Sequence, residues 1–172
     1  SSIASHTSRI VMILVTLATG RFSSALISNM ICPLSGSSSI AAAQSGFIGA
    51  SSSAPSEIAA RAGIAAAIKR CTDDLKVDIV LTCGGSGLSP RDNTPEATRD
   101  VCEREVPGIA EAMRYHSLQI TPYAMLSRAI CMQRGNSIVI NLPGSEKAAR
   151  ENWDGIVAAL PHAVKMMAGG GH

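Results

Sequence analysis

The stretch from Asp78 to Ala97 constrains the fold of this chain more than any other. An apolar run, Asp78-Ile79-Val80-Leu81, leads into Thr82-Cys83-Gly84-Gly85-Ser86-Gly87, which holds three glycines within four positions. Glycine permits positive φ and close approach of the backbone, and successive amides in such a loop can face an anion. Gly84, Gly85, Ser86 and Gly87 are therefore candidate phosphate ligands. Further on, Thr94-Pro95-Glu96 has the pattern of a helix start. Thr94 is expected as N-cap, Pro95 at the first helical position and Glu96 in the first turn. Asp92 lies between loop and helix, where a carboxylate can hold magnesium or orient a nucleotide. A structural turn accounts for the glycines alone, but not for the carboxylate and helix start that follow them.

Similar alternation continues to the C-terminus. The spacing predicts a helix over Glu57 to Arg70, capped by Ser56, with Ile58, Ala62, Ala65 and Ile68 on one face. Val77 to Cys83 and Ser137 to Leu142 read as buried strands, and Thr94 to Arg104 as a helix. Pro107 opens another helix. Pro143-Gly144-Ser145 repeats the order strand, turn, helix cap before a helical stretch from Glu146 to Met167, which Pro161 should kink or divide. Strands alternating with helices imply a three-layer α/β/α arrangement with a mostly parallel sheet. The loops at Gly84 to Asp92 and Pro143 to Ser145 both follow strand carboxyl ends, so one site can use both.

The 172 residues read as one domain, 1–172, with two unlike parts. Residues 1–56 contain no Asp or Glu, and only Arg9 and Arg21 as bases. All 13 acids lie in 57–172. The Ser-rich, acid-free composition of 1–56 resembles an organellar transit peptide, for which two arginines are few; the apolar run from Ile10 to Ala18 fits a secretory core or a fully buried first strand, and is too short to span a membrane. The strand is preferred, because a sheet drawn only from 57–172 has few strands for its helices. Gly36 to Ser56 reads as loop, and 169–172 as a frayed tail.

A net charge of +2 implies no nucleic-acid-binding patch, and 3% aromatic residues leave few platforms for stacking bases. The five cysteines, Cys32, Cys71, Cys83, Cys102 and Cys131, are widely spaced with no CxxC pair. This favours reduced thiols in a cytosol-like compartment and argues against a zinc site. Cys83 reads as a small strand-end residue rather than a nucleophile. His6, His116, His162 and His172 lack metal-ligand spacing.

Several motifs in order resemble the molybdopterin adenylyltransferases, which include bacterial Mog proteins, the gephyrin G domain and the plant molybdenum-cofactor G domain. They are Leu81 to Gly87, Pro90-Arg91-Asp92-Asn93-Thr94-Pro95-Glu96-Ala97-Thr98, Glu103 to Gly108, Met125-Leu126-Ser127-Arg128 and Asn141-Leu142-Pro143-Gly144-Ser145. Ser117-Leu118, Thr121-Pro122, Arg134-Gly135 and Leu160-Pro161-His162-Ala163 extend the resemblance over about 78–165, within a well-matched part taken as 57–168. The resemblance implies the molybdenum-cofactor-biosynthesis fold and transfer of AMP from ATP to the molybdopterin phosphate, with magnesium assisting and pyrophosphate leaving. It implies Asp92 as catalytic and metal-holding residue. It places Gly84, Gly85, Ser86, Gly87, Glu96, Pro143, Gly144 and Ser145 at the nucleotide, and Ser117, Ser127 and Arg128 at the molybdopterin. A cytosolic homotrimer is implied too, with a molybdate-insertion domain or protein as a further partner.

The first part departs from the family. Its first strand usually ends in Val-Ser-Asp, where this chain has Val15-Thr16-Leu17. Ser56 stands where a functional aspartate is expected. Residues 1–56 read either as a reading-frame or gene-start error or as a divergent segment. A binding or scaffold domain with weak or lost catalysis is the alternative function.

Overall fold

The structure, a computed structural model, describes residues 10–14 and 57–170. The expectations for Val15 to Leu17, for the loop from Gly36, for Ser56 and for Cys32, His6 and His172 fall outside the described residues. Among the described residues five strands form one sheet: β1 (Ile10–Leu14), β2 (Ile79–Cys83), β3 (Arg104–Glu105), β4 (Cys131–Arg134) and β5 (Ser137–Leu142). Their order is β1-β2-β5-β4-β3. The first three pair in parallel, with Leu14 opposite Cys83 and Cys83 opposite Leu142. β4 and β3 continue the sheet antiparallel, so it is mixed.

Helices cover both faces, as an α/β/α arrangement requires. α1 (Glu57–Lys69) and α2 (Thr94–Val101) lie on one side; α3 (Pro107–Leu118), α4 (Glu146–Asp154) and α5 (Leu160–Met167) lie on the other. Alternation along the central strands divides the core. Ile79, Leu81 and Cys83 of β2 join Ile138, Ile140 and Leu142 of β5 against Met113, Trp153 and Leu160. Val80 and Val139 face Ile64, Ile68 and Ala97. Arg61 also bridges α1 to Asp100 of α2 through hydrogen bonds of 2.6 and 2.5 Å. An ion pair this open to solvent adds little to stability. Apolar burial therefore holds this layer.

Several boundaries differ from the sequence reading. Ile58 is 81% exposed, so the core face of α1 is Ile64 and Ile68 rather than Ile58 and Ala62. α2 ends at Val101; Cys102 turns extended, and Arg104–Glu105 adds to β4. β4 and its tight turn to β5, with Gly135 at φ 53°, are additional elements. The C-terminal helical stretch divides around Gly155, upstream of Pro161, which sits in the first turn of α5. Gly155 packs on α3, where an added Cβ would lie 2.8 Å from the Cβ of His116. No described helix is long and apolar enough to cross a membrane.

Candidate functional site

Because β2 and β5 run parallel, the loops after them emerge side by side. The Gly84 amide donates to the Leu142 carbonyl at 3.0 Å. A Cβ on Gly144 would lie 3.2 Å from the Gly84 Cα, so the two loops touch through backbone. Gly84 and Gly85 take φ values of 101° and 68°. Side chains rarely adopt these angles, which explains the paired glycines.

Every carbonyl of the glycine loop is occupied. Gly84 O accepts the Thr94 hydroxyl at 2.8 Å, and Gly85 O accepts the Thr94 amide at 3.0 Å. Ser86 O accepts the Arg128 amide at 2.9 Å, and Gly87 O accepts Arg128 Nε at 2.7 Å. The amides behave oppositely: no hydrogen bond among the described residues uses those of Gly85, Ser86 and Gly87. With its carbonyls pinned, the loop keeps three donors spare. The Gly84 amide is committed to Leu142, which removes it from the expected anion ligands.

Thr94 is not the N-cap. Asn93 occupies that position, and the Thr94 hydroxyl turns back to the loop. Behind Thr94 lies a buried relay. Thr98 Oγ1 donates to Thr94 O at 2.9 Å, and Asn141 Nδ2 donates to Thr98 Oγ1 at 3.0 Å and Thr82 Oγ1 at 2.9 Å. The relay ties the loop to the two central strands.

Beside the loop opens a cleft of ≈ 460 Å³. Gly85, Ser86, Gly87 and Asp92 form one wall, and Pro143 and Gly144 form its floor. Arg114 and Ser117 of α3 and Ala148, Glu151 and Asn152 of α4 also line it. The segment before β4 contributes Thr121, Tyr123 and Ser127. Asn152 Nδ2 donates to Ser117 Oγ at 2.9 Å, joining the two helices. A second hollow of ≈ 550 Å³ shares Asp92 and includes Ile58, Leu88, Glu96 and Arg128.

Asp92 Oδ2 accepts the Ser89 amide at 3.3 Å and lies where a Cβ on Gly87 would approach to 2.8 Å. The other carboxylate oxygen carries no hydrogen bond among the described residues. No cluster of three or more His, Cys, Asp or Glu side chains suited to a metal occurs among them. Magnesium is often held by one or two carboxylates plus substrate phosphates, so the oxygen of Asp92 beside spare amides fits that ion.

Arg128 takes a different place from the one expected. Besides Gly87 O, its guanidinium donates to Asp92 O and to Glu96 Oε1, the latter at 2.5 Å. It clamps the glycine loop from the side of the second hollow. Burial pushes the Glu96 carboxyl up, but the Arg128 hydrogen bond, a backbone bond and the charges of Arg128 and Arg99 hold it below the usual carboxylate range. Glu96 is therefore the clamp's counter-charge. Ser145 caps α4, accepting the Ala148 amide at 3.2 Å, and does not line the cleft. Ser117, Ser127, Pro143 and Gly144 do line it. Burial pushes the Cys83 thiol up to about 12, which suits packing rather than nucleophilic attack.

Arg114, Tyr123, Glu151 and Asn152 complete the cleft without having been singled out in the sequence. Their signal is weak: Arg114 and Ser117 are three apart on α3, and Ala148, Glu151 and Asn152 share one face of α4.

Residues 59–162 match the family described as probable molybdopterin binding domain. The molybdopterin adenylyltransferase of Helicobacter pylori strain J99 is 44% identical over 102 residues, covering 59% of this chain and 57% of that protein. The molybdenum cofactor synthesis protein cinnamon of Drosophila melanogaster is 44% identical over 100 residues, covering 58% of this chain and 17% of cinnamon. The matched stretch thus spans little more than half of one relative and a small part of the other. Among solved structures, the molybdopterin biosynthesis enzyme MoaB of Thermus thermophilus superposes with a TM-score of 0.75 at 32% identity, covering 94% of this chain and 97% of that one. The Mog protein of Mycobacterium ulcerans superposes at 0.78 with 26% identity, covering 96% and 99%.

Proposed function

The chain belongs to the family of probable molybdopterin binding domains, and from that premise we propose that it is a molybdopterin adenylyltransferase. In this reaction a terminal phosphate oxygen of molybdopterin attacks the α-phosphorus of ATP. The new P–O bond forms as the α–β phosphoanhydride bond breaks, leaving adenylylated molybdopterin and pyrophosphate. The relatives that carry this activity by name support the reading. One observation carries it on this chain: a loop with every carbonyl bound and the amides of Gly85, Ser86 and Gly87 spare.

Phosphoryl-type transfer depends mostly on positioning and on neutralising charge. The three amides receive phosphate oxygens along the loop. The amino ends of α2 and α4, next to the two loops, add a favourable dipole for an anion. Asp92 holds magnesium, which when bound offsets the negative charge of the phosphates. Ser117 and Ser127 contact the molybdopterin side, and Pro143 and Gly144 support the nucleotide. Arg128 and Glu96 act one layer back, holding the loop and the backbone of Asp92 in register. Residues 1–172 form one domain on this reading, working in the cytosol. Self-association into the homotrimer is supported by the exposed apolar side chains of Tyr115, Leu118 and Ile120.

The test is turnover of molybdopterin with magnesium and ATP, read as adenylylated product, beside the Asp92→Ala variant. Product from the wild-type chain and its loss by a factor of about 100 or more in the variant is the expected outcome. Tight binding of both substrates by the wild-type chain with no product contradicts the enzyme reading.

A further inference from the structure

Resting on the reading of the cleft as a molybdopterin site, we infer that Glu151 is the residue that selects the pterin ring, by accepting hydrogen bonds from its amino–imide edge. Glu151 lies on the cleft face of α4, roughly 9 Å along the helix from the Ser145 cap. Its side chain is 21% exposed, and its neighbour Lys147, one turn away, is 84% exposed at a distance of 3.8 Å. A one-turn pair of this kind contributes only a few tenths of a kcal/mol in an isolated helix, which gives no reason to bury a carboxylate there. No hydrogen bond among the described residues uses the Glu151 oxygens.

Two neighbours in the lining make bonds that do not involve Glu151. Asn152 Nδ2 donates to Ser117 Oγ at 2.9 Å and to Ala148 O at 2.8 Å. Arg114 Nη1 donates to Ala129 O at 2.8 Å. These bonds fix α3 against α4, and Glu151 accepts none of them.

A carboxylate has two acceptor oxygens and can receive two parallel N–H bonds. The 2-amino group and N3–H of a pterin are adjacent donors and match it. Adenine presents a donor beside an acceptor at the corresponding edge, a pattern suited to Asn or Gln. Glu151 therefore favours the pterin over the nucleotide base at this end of the cleft.

The test uses the whole chain and two probes: pterin (2-amino-4-oxopteridine) and lumazine, in which a carbonyl replaces the 2-amino group. Wild-type protein is expected to bind pterin at least about tenfold more tightly than lumazine. Glu151→Gln, whose amide can donate to the lumazine carbonyl, should bring that ratio close to one while the ATP affinity and Tm stay in place. Glu151→Asp keeps the carboxylate; it should keep the preference with weaker binding of both, and it serves as the second variant should Glu151→Gln not fold. An undiminished preference in Glu151→Gln overturns the inference. So does a wild-type chain that adenylylates molybdopterin without distinguishing the probes, and in that case the enzyme reading stands. A wild-type chain that binds neither probe and forms no product removes the enzyme reading itself.

Discussion

Arg128 and Arg134 make the same kind of contact at opposite edges of the sheet. Each guanidinium pairs with carboxylate, Arg128 with Glu96 and Arg134 with Asp73 and, at 3.7 Å, Glu103, and also holds backbone. Arg134 lies at the end of β4, beside the amino ends of β2 and β5, and donates to Asp73 at 2.5 and 3.0 Å and to Val101 O. It closes the turn before β2 and the end of α2, regular elements that use their own amides. Arg128 lies at the carboxyl edge and closes a loop whose carbonyls are bound and whose amides are spare. Similar chemistry thus finishes a structural corner at one edge and, at the other, pins a loop with spare amides, the proposed anion site. The difference lies in what each arginine holds, not in the arginine.

The comparison can be broken most severely at two glycines of positive φ. An added Cβ at Gly85 (φ 68°) would run into the Thr94 hydroxyl, whereas at Gly135 (φ 53°) it meets open space. Gly85→Ala is expected to destabilise the chain by about 2 kcal/mol or more and to lower turnover about 100-fold. Gly135→Ala should cost about 1 kcal/mol from backbone strain alone and leave kcat unchanged. Denaturant melts alongside turnover check both; equal losses of turnover would erase the distinction between the edges.

Arg128→Lys keeps the charge but loses the planar fork that reaches two carbonyls and a carboxylate. Turnover should fall roughly tenfold to 100-fold, with a smaller change in stability. Arg134→Lys should instead lower Tm by roughly 5 °C and spare kcat. Parallel thermal and kinetic measurements on the two variants sharpen the comparison, and a kcat loss confined to Arg134→Lys would reverse it.

The smallest effect expected is one of pH. Hydrogen bonds from Arg134 and Thr72 hold the Asp73 carboxyl at about 2, below its usual 3.8. A depressed carboxyl contributes stability above its unfolded value and loses it as pH falls through the folded one. Wild type should therefore exceed Asp73→Asn in stability near neutral pH, with the difference shrinking between pH 3.8 and about 2. Equilibrium melts across that range check it; a pH-independent difference would contradict the ion-pair account.

Much of the fold was legible because its strongest signals are local. Ser137–Leu142 is a strand and Pro107–Leu118 a helix, both announced by pattern and punctuation. The mixed half of the sheet was not legible. Cys131–Arg134 lacks a clear period of two, and Arg104–Glu105 becomes a strand only by pairing with Gln133 and Met132. Helical propensity ran past Val101 for the same reason, since a distant partner claims the backbone. At the proposed site, the turn at Gly84 and Gly85 was legible from backbone demands. The direction of a side chain was not, so Arg128 read as a ligand contact although its guanidinium points into the loop's own carbonyls. Glu151 and Asn152 were hidden within an ordinary amphipathic helix.

The spare amides can be tested directly by amide NMR of the isotope-labelled full chain, titrated with magnesium-ATP. The account predicts large shifts at Gly85, Ser86 and Gly87, with Gly84 changing little because its amide already donates to Leu142. Saturating ATP binding that leaves those three amides in place would contradict the phosphate-cradle account.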